Sequence, residues 1–156
     1  AKDSGVPVED WQSAKRITWN WQSLGDLQPY MLNFLENHDE QRFASDFFGC
    51  DARNSYAALY TALYMNNAPF MLYAGEEVGE RGMDNEGFSG RDGRTSIFDW
   101  WAPSSLTRLY KYIHGEKKAL TPEEETMLDT YRKALKFAAE DNAVSKGTCY
   151  DVFYCN

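Results

Sequence analysis

The sequence predicts an α/β fold of βα units, and two observations agree with a parallel barrel arrangement. The first is the run 29–35, PYMLNFL, apolar and almost without charge, as in a strand buried on both faces. It stops abruptly at Glu36-Asn37-His38-Asp39-Glu40-Gln41-Arg42, where five of seven residues ionise. Parallel barrels draw their catalytic groups from the carboxyl ends of strands. The second is an echo: Pro29-Tyr30-Met31-Leu32 and Pro69-Phe70-Met71-Leu72 lie 40 residues apart. Each follows a helical pattern and runs into an acidic loop, at the period of one βα unit.

The elements follow in order. Residues 7–22 predict a helix, with Pro7 at its first position, Glu9 and Asp10 at its positive end, and Trp11, Ala14, Ile17 and Trp21 at helical spacing. Gly25 and Asp26 end it before the strand at 29–35. A helix over 52–66 starts after Asp51 as N-cap, and its apolar face is Tyr56, Leu59, Leu63 and Tyr64. Pro69 then opens a short buried strand through Tyr73.

Residues 75–103 read as one long loop holding six of the 11 glycines. Loops beyond about 12–15 residues are usually functional or disordered, and Phe98, Trp100 and Trp101 argue against disorder. A short helix is expected over 104–114, with His114 as a charge partner at its carboxyl end. The clearest helix is 122–140. Thr121 and Glu124 form a capping box, Pro122 takes the first turn, and Met127, Leu128, Tyr131, Leu135 and Ala138 make a buried stripe. After a turn at Lys146-Gly147, residues 148–154 predict a strand.

Composition narrows the function classes. A net charge of −8 and a pI near 4.7 oppose nucleic-acid binding, which needs clustered Lys and Arg. No apolar run reaches the roughly 18 residues of a membrane span. The compartment stays open, leaning to secreted or periplasmic. Of the three cysteines, Cys50, Cys149 and Cys155, the last two either face each other across a hairpin or stay as free thiols. No C-x-x-C or His/Cys cluster supports zinc. Glu80, Asp84 and Glu86 fit no EF-hand ladder, so no metal or cofactor is assigned; calcium in a larger parent has no support here.

The polar cluster also carries a resemblance. Phe34-Leu35-Glu36-Asn37-His38-Asp39 resembles the F-x-x-N-H-D motif ending the seventh barrel strand of the α-amylase family of glycoside hydrolases. Residues 69–79, PFMLYAGEEVG, resemble the family's eighth strand and its following loop, P-x-x-x-Y-x-G-x-E-x-G, with Glu77 on the Glu position. Residues 91–101 are similar to a stretch beyond that strand.

The resemblance implies the last two β/α units of a TIM barrel over 1–145 and the start of a carboxyl-terminal β-rich domain over 146–156. A complete barrel needs roughly 250 residues, so the 156 here are expected to be part of a larger enzyme. Its implied substrate is an α-glucan of starch, maltooligosaccharide or pullulan type, cleaved with retention.

Within that resemblance Asp39 is the catalytic residue of this chain and His38 binds sugar beside it. Arg42 reads as a support or as a subsite contact. Trp100 and Trp101 either stack on sugar rings or pack the loop onto the barrel. Asn37 orients its turn, and Glu77 is structural, bonded to backbone or to an Arg. The nucleophile and general acid have no counterpart here, since no segment resembles the family's G-F-R-x-D motif. The chain alone is therefore expected to be inactive, and its exposed strand edges to favour self-association.

Two rivals remain. A non-catalytic glycan-binding or interaction module accounts for the short chain and the aromatics, but not for a buried strand ending in Asn-His-Asp. A metallophosphoesterase places Gly before its Asn and needs several more metal ligands. Here Glu36 precedes Asn37, and His38 and His114 are the two histidines.

Overall fold

The computed structural model describes residues 15–84, 91–95, 101–150 and 152. Five α-helices and two strands are found among them: α1 (Lys15–Ser23), β1 (Asn33–Phe34), α2 (Tyr56–Tyr64), β2 (Phe70–Met71), α3 (Ser104–Ile113), α4 (Pro122–Glu140) and α5 (Asn142–Ser145). Short 3₁₀ turns occupy Gly25–Tyr30, Ala52–Ser55 and Glu76–Val78.

The two strands pair in parallel, with Asn33 opposite Phe70 and Phe34 opposite Met71. Their carboxyl ends therefore point the same way, and α2 carries the chain between them. Asn33 fixes this crossover: its Nδ2 donates to Ala62 O at 3.2 Å and to Asn66 Oδ1 at 3.0 Å.

The strand expected over 29–35 is corrected to two residues. Pro29 and Tyr30 belong to the preceding 3₁₀ turn, where the Pro ring rules out a backbone donor. The segment is not buried on both faces either: Met31, Leu32 and Phe34 are 40–50% exposed. Among the described residues β1 has β2 alone as a partner, which leaves its other edge and one face uncovered.

The expected helix at 52–66 starts as a 3₁₀ turn, and Asp51 caps it by accepting from Arg53 N. Residues 7–14 of the first predicted helix lie outside the described residues; its Ile17 is half exposed. Residues 148–150 and Val152 are not strand, and the rest of the predicted tail strand, with Cys155, is outside the described residues. Helix α5, missed in the sequence, is one turn capped by Asp141, whose side chain accepts from Ala143 N and Val144 N.

The core lies between α2 and α4. Leu59 and Leu63 pack on Met127, Tyr131 and Ala134, each buried Leu contributing roughly 1.5–3 kcal/mol. The capping box of α4 is complete, with Thr121 and Glu124 each bonded to the other's backbone N–H. A smaller cluster of Val78, Leu120 and Leu128 joins α4 to the turn after β2. Gly79 lets this turn also approach the 3₁₀ turn at Ala52–Ser55. Its φ is 69°, and a Cβ there would lie 2.6 Å from the Ala52 side chain.

Candidate functional site

The chain leaving β1 dips, rises and dips again between residues 36 and 42. Glu36 and Arg42 are 2% and 1% exposed, whereas the side chains of His38 and Asp39 at the crest are 54% and 77% exposed. Asn37 shapes the crest, its Oδ1 accepting from Asp39 N at 2.8 Å and from Glu40 N at 2.9 Å. This is the local side-chain-to-backbone bonding that Asn favours in turns. His38 Nε2 lies 3.4 Å from Asp39 Oδ2. The pair presents an anionic acceptor and an imidazole to solvent, side by side.

Arg42 reaches in three directions beneath them. Its Nη1 donates to Glu36 Oε2 at 2.7 Å, its Nη2 to Ala74 O at 2.7 Å, and its Nε to Thr95 Oγ1 at 2.9 Å. The guanidinium also lies over the Tyr73 ring, 4.2 Å from its centre. Its backbone N–H donates to Gly93 O at 2.6 Å, and Glu36 Oε1 accepts from Phe43 N at 2.7 Å. Burial raises the Glu36 carboxyl, against the pull of Arg42. So placed, Arg42 offers a sugar no surface.

The second acidic segment is built the same way. Glu76 is 2% exposed and accepts from Tyr131 Oη at 2.9 Å. Its Oε2 has no partner among the described residues. Burial, then the neighbouring Glu36 charge, pushes its carboxyl from 4.5 up to about 7, and burial likewise raises the Tyr131 phenol. Glu77 Oε2 accepts from Gly75 N at 2.8 Å, a bond within its own turn.

Glu80 holds Gly82 N through one oxygen and the amides of Ser105 and Leu106 through the other, at 3.0 and 3.2 Å. Asp84 Oδ2 takes Ser104 N at 2.7 Å. Pro103, at the cap position of α3, has no side-chain acceptor. Two carboxylates from the preceding loop therefore satisfy the helix's first donors.

Trp101 is 6% exposed, and its Nε1 has no partner among the described residues. Trp100 lies outside the described residues. His114 closes α3, with Nδ1 2.8 Å from Tyr110 O and its ring over that of Tyr110.

A pocket of about 560 Å³ opens between the turn at 51–56, Gly79 and the amino end of α4, and none of residues 36–42 lines it. Its arginines are paired: Arg53 with Asp51, Arg81 with Asp46, Arg108 with Glu124. Among the described residues no group of three or more His, Cys, Asp or Glu is placed to hold a cation, and no helix is long and apolar enough to cross a membrane.

Glu36, Glu76, Glu80, Thr95 and Tyr131 were not singled out as site residues in the sequence. For Glu36 a signal existed: a carboxylate inside an apolar strand's end, six residues before an Arg. For Glu76, Thr95 and Tyr131 the partner is distant in sequence, as are the Ser105 and Leu106 amides that Glu80 holds.

A family model described as alpha amylase, catalytic domain, matches residues 3–149. No curated protein and no solved structure matches the chain.

Proposed function

The chain belongs to the α-amylase family of glycoside hydrolases, and from that membership we propose that it forms the last two β/α units of a catalytic barrel that cleaves α-glucans with retention. The observation carrying this reading is the parallel pairing of β1 and β2. It sends the His38–Asp39 crest and the loop after β2 from the same end of the sheet, where such a fold does its chemistry.

Retaining hydrolysis needs a carboxylate nucleophile and a carboxylic acid on either side of the scissile bond. We assign both to other parts of the parent polypeptide, so this chain alone turns over no starch. Asp39 acts on the sugar ring itself. As the ring flattens toward an oxocarbenium-like transition state, its hydroxyls move against the carboxylate, and charge-assisted bonds strengthen at that moment. His38 donates a second bond from one ring nitrogen. Arg42 and Glu36 support the turn, Asn37 shapes it, and Glu77 braces the loop after β2. Trp100 remains a candidate stacking surface, while Trp101 serves the packing of the loop.

No metal or cofactor is assigned. The partner is an α-glucan oligosaccharide or polysaccharide. The apolar face at Leu27, Tyr30, Met31, Leu32 and Phe34, exposed here, favours self-association of the isolated chain.

The deciding experiment is Asp39→Asn in the full-length enzyme, by steady-state kinetics on an α-1,4-glucan. The expected result is a fall in kcat of roughly 10²-fold, about 3 kcal/mol, with KM little changed. A rise in KM with kcat intact would make Asp39 an ordinary binding residue and defeat the mechanism.

A further inference from the structure

We infer that Glu36 and Arg42 are positioning residues, a buried clasp that fixes the His38–Asp39 turn against the end of β2 and against the segment 91–95. The inference rests on the glycosidase reading of Asp39 and adds to it two residues that touch no substrate.

The clasp closes the turn at its two feet. Residues 36 and 42 are the ones inside the dry interior, and the residues between them rise out of it. One foot holds the other through the 2.7 Å ion pair, and Glu36's second oxygen holds Phe43 N, just past the far foot. The remaining donors of Arg42 run outward to two separate strands of chain, Ala74 after β2 and Thr95 in the distal loop, while its own N–H bonds Gly93 O. Three pieces of sequence far apart thus meet on one planar guanidinium. Asn37 then transmits the geometry of the feet to the crest through Asp39 N and Glu40 N.

The residue types suit this role. A planar fork with donors in fixed directions is pre-organised in a way that a Lys ammonium is not. Lys at position 42 keeps the charge opposite Glu36 but cannot serve Ala74 and Thr95 together. The crest carries no comparable constraint of its own, because its side chains lie in water. Whatever accuracy Asp39 has must come from below, and a displacement of about 1 Å at a reacting group can cost on the order of 10²-fold in rate.

The test is Arg42→Lys, with hydrogen exchange and kinetics measured on the full-length enzyme. Amides across 36–43 should exchange about tenfold faster or more, while those of α4 hold their protection. The kcat on α-glucan should fall about tenfold or more with KM within about twofold.

If Arg42→Lys does not fold, Thr95→Val removes one arm and spares the ion pair, and it should show the same two changes at smaller size. Unchanged exchange across 36–43 overturns the inference. So does faster exchange with kcat intact, provided Asp39→Asn still lowers kcat; the glycosidase reading then survives. If Asp39→Asn is silent too, that reading falls and takes the positioning role with it.

Discussion

The Tyr131 hydroxyl donates to Glu76 Oε1 across 2.9 Å, joining the middle of α4 to the turn after β2. It is the one hydrogen bond the Glu76 carboxyl receives from a side chain among the described residues, and both residues are buried.

The first prediction follows from the carboxyl's pKa, raised from 4.5 to about 7 by burial and the Glu36 charge. Below pH 4.5 the group is neutral whether folded or unfolded, and its contribution to stability is fully present. As pH rises through 4.5 toward 7 the unfolded chain ionises more readily, and that contribution drains away, to the order of 3 kcal/mol. Glu76→Gln keeps an acceptor for Tyr131 and cannot ionise. Urea unfolding at pH 5, 6, 7 and 8 should show the wild type losing ground to Glu76→Gln across this window. Parallel pH profiles would refute the assignment.

Tyr131→Phe should cost on the order of 1–3 kcal/mol, since it leaves a buried carboxyl without that donor. The same unfolding assay at pH 5 measures it. Glu76→Gln combined with Tyr131→Phe should cost less than the two single changes summed, because the second removes a partner already altered.

Glu124 runs in the opposite sense. Burial pushes its carboxyl up, but Arg108 and the Thr121 amide more than offset this and hold it below the ordinary value of 4.5. Its contribution is present above that value and is lost as pH falls through the lowered pKa. Arg108→Met should therefore bring on acid unfolding at higher pH, read from circular dichroism at 222 nm between roughly pH 2 and 5. Thr121→Ala, which removes only the cap, should cost about 1 kcal/mol at neutral pH.

Glu80→Ala should loosen α3 from its amino end. The amides of Ser105 and Leu106 lose their acceptor, as does Gly82 N in the loop, a change worth about 1–2 kcal/mol at the cap. Hydrogen exchange should quicken at Ser105 and Leu106 and leave α4 unaffected. Equal acceleration in both helices would mean that Glu80 serves the whole fold and not this cap.

In the full-length enzyme His38→Ala should cost less than Asp39→Asn. Loss of one donor is worth on the order of 1–2 kcal/mol in kcat/KM. A larger loss than that of Asp39→Asn would reverse their assigned ranks.

What was legible in the sequence was local. The capping box at Thr121 and Glu124, the stripe through Met127 and Tyr131, and the turn chemistry of Asn37 depend on neighbours within a few residues. The abrupt change from apolar to ionisable residues after Leu35 marked where the turn begins. Depth was not legible. Glu36, Asp39, Glu40 and Arg42 look alike as charged letters, yet two are buried and two are wet, because burial is decided by Tyr73, Ala74 and Thr95 arriving from elsewhere in the chain. Strand length failed for a related reason: apolar residues 29–32 meet the composition of a strand, but pairing needs a neighbour, and β2 meets only Asn33 and Phe34.

The bond from Ser104 N to Asp84 Oδ2 gives residues 85–103 a common point of departure and return. A loop with its ends already tied tolerates added length cheaply, each doubling costing roughly 0.6 kcal/mol in closure entropy. The Arg42 contacts to Gly93 and Thr95 add a further tie within that stretch. Asp84, Ser104 and Arg42 thus set its closure cost, and losing any one of them would be felt as chain entropy as well as lost bonds.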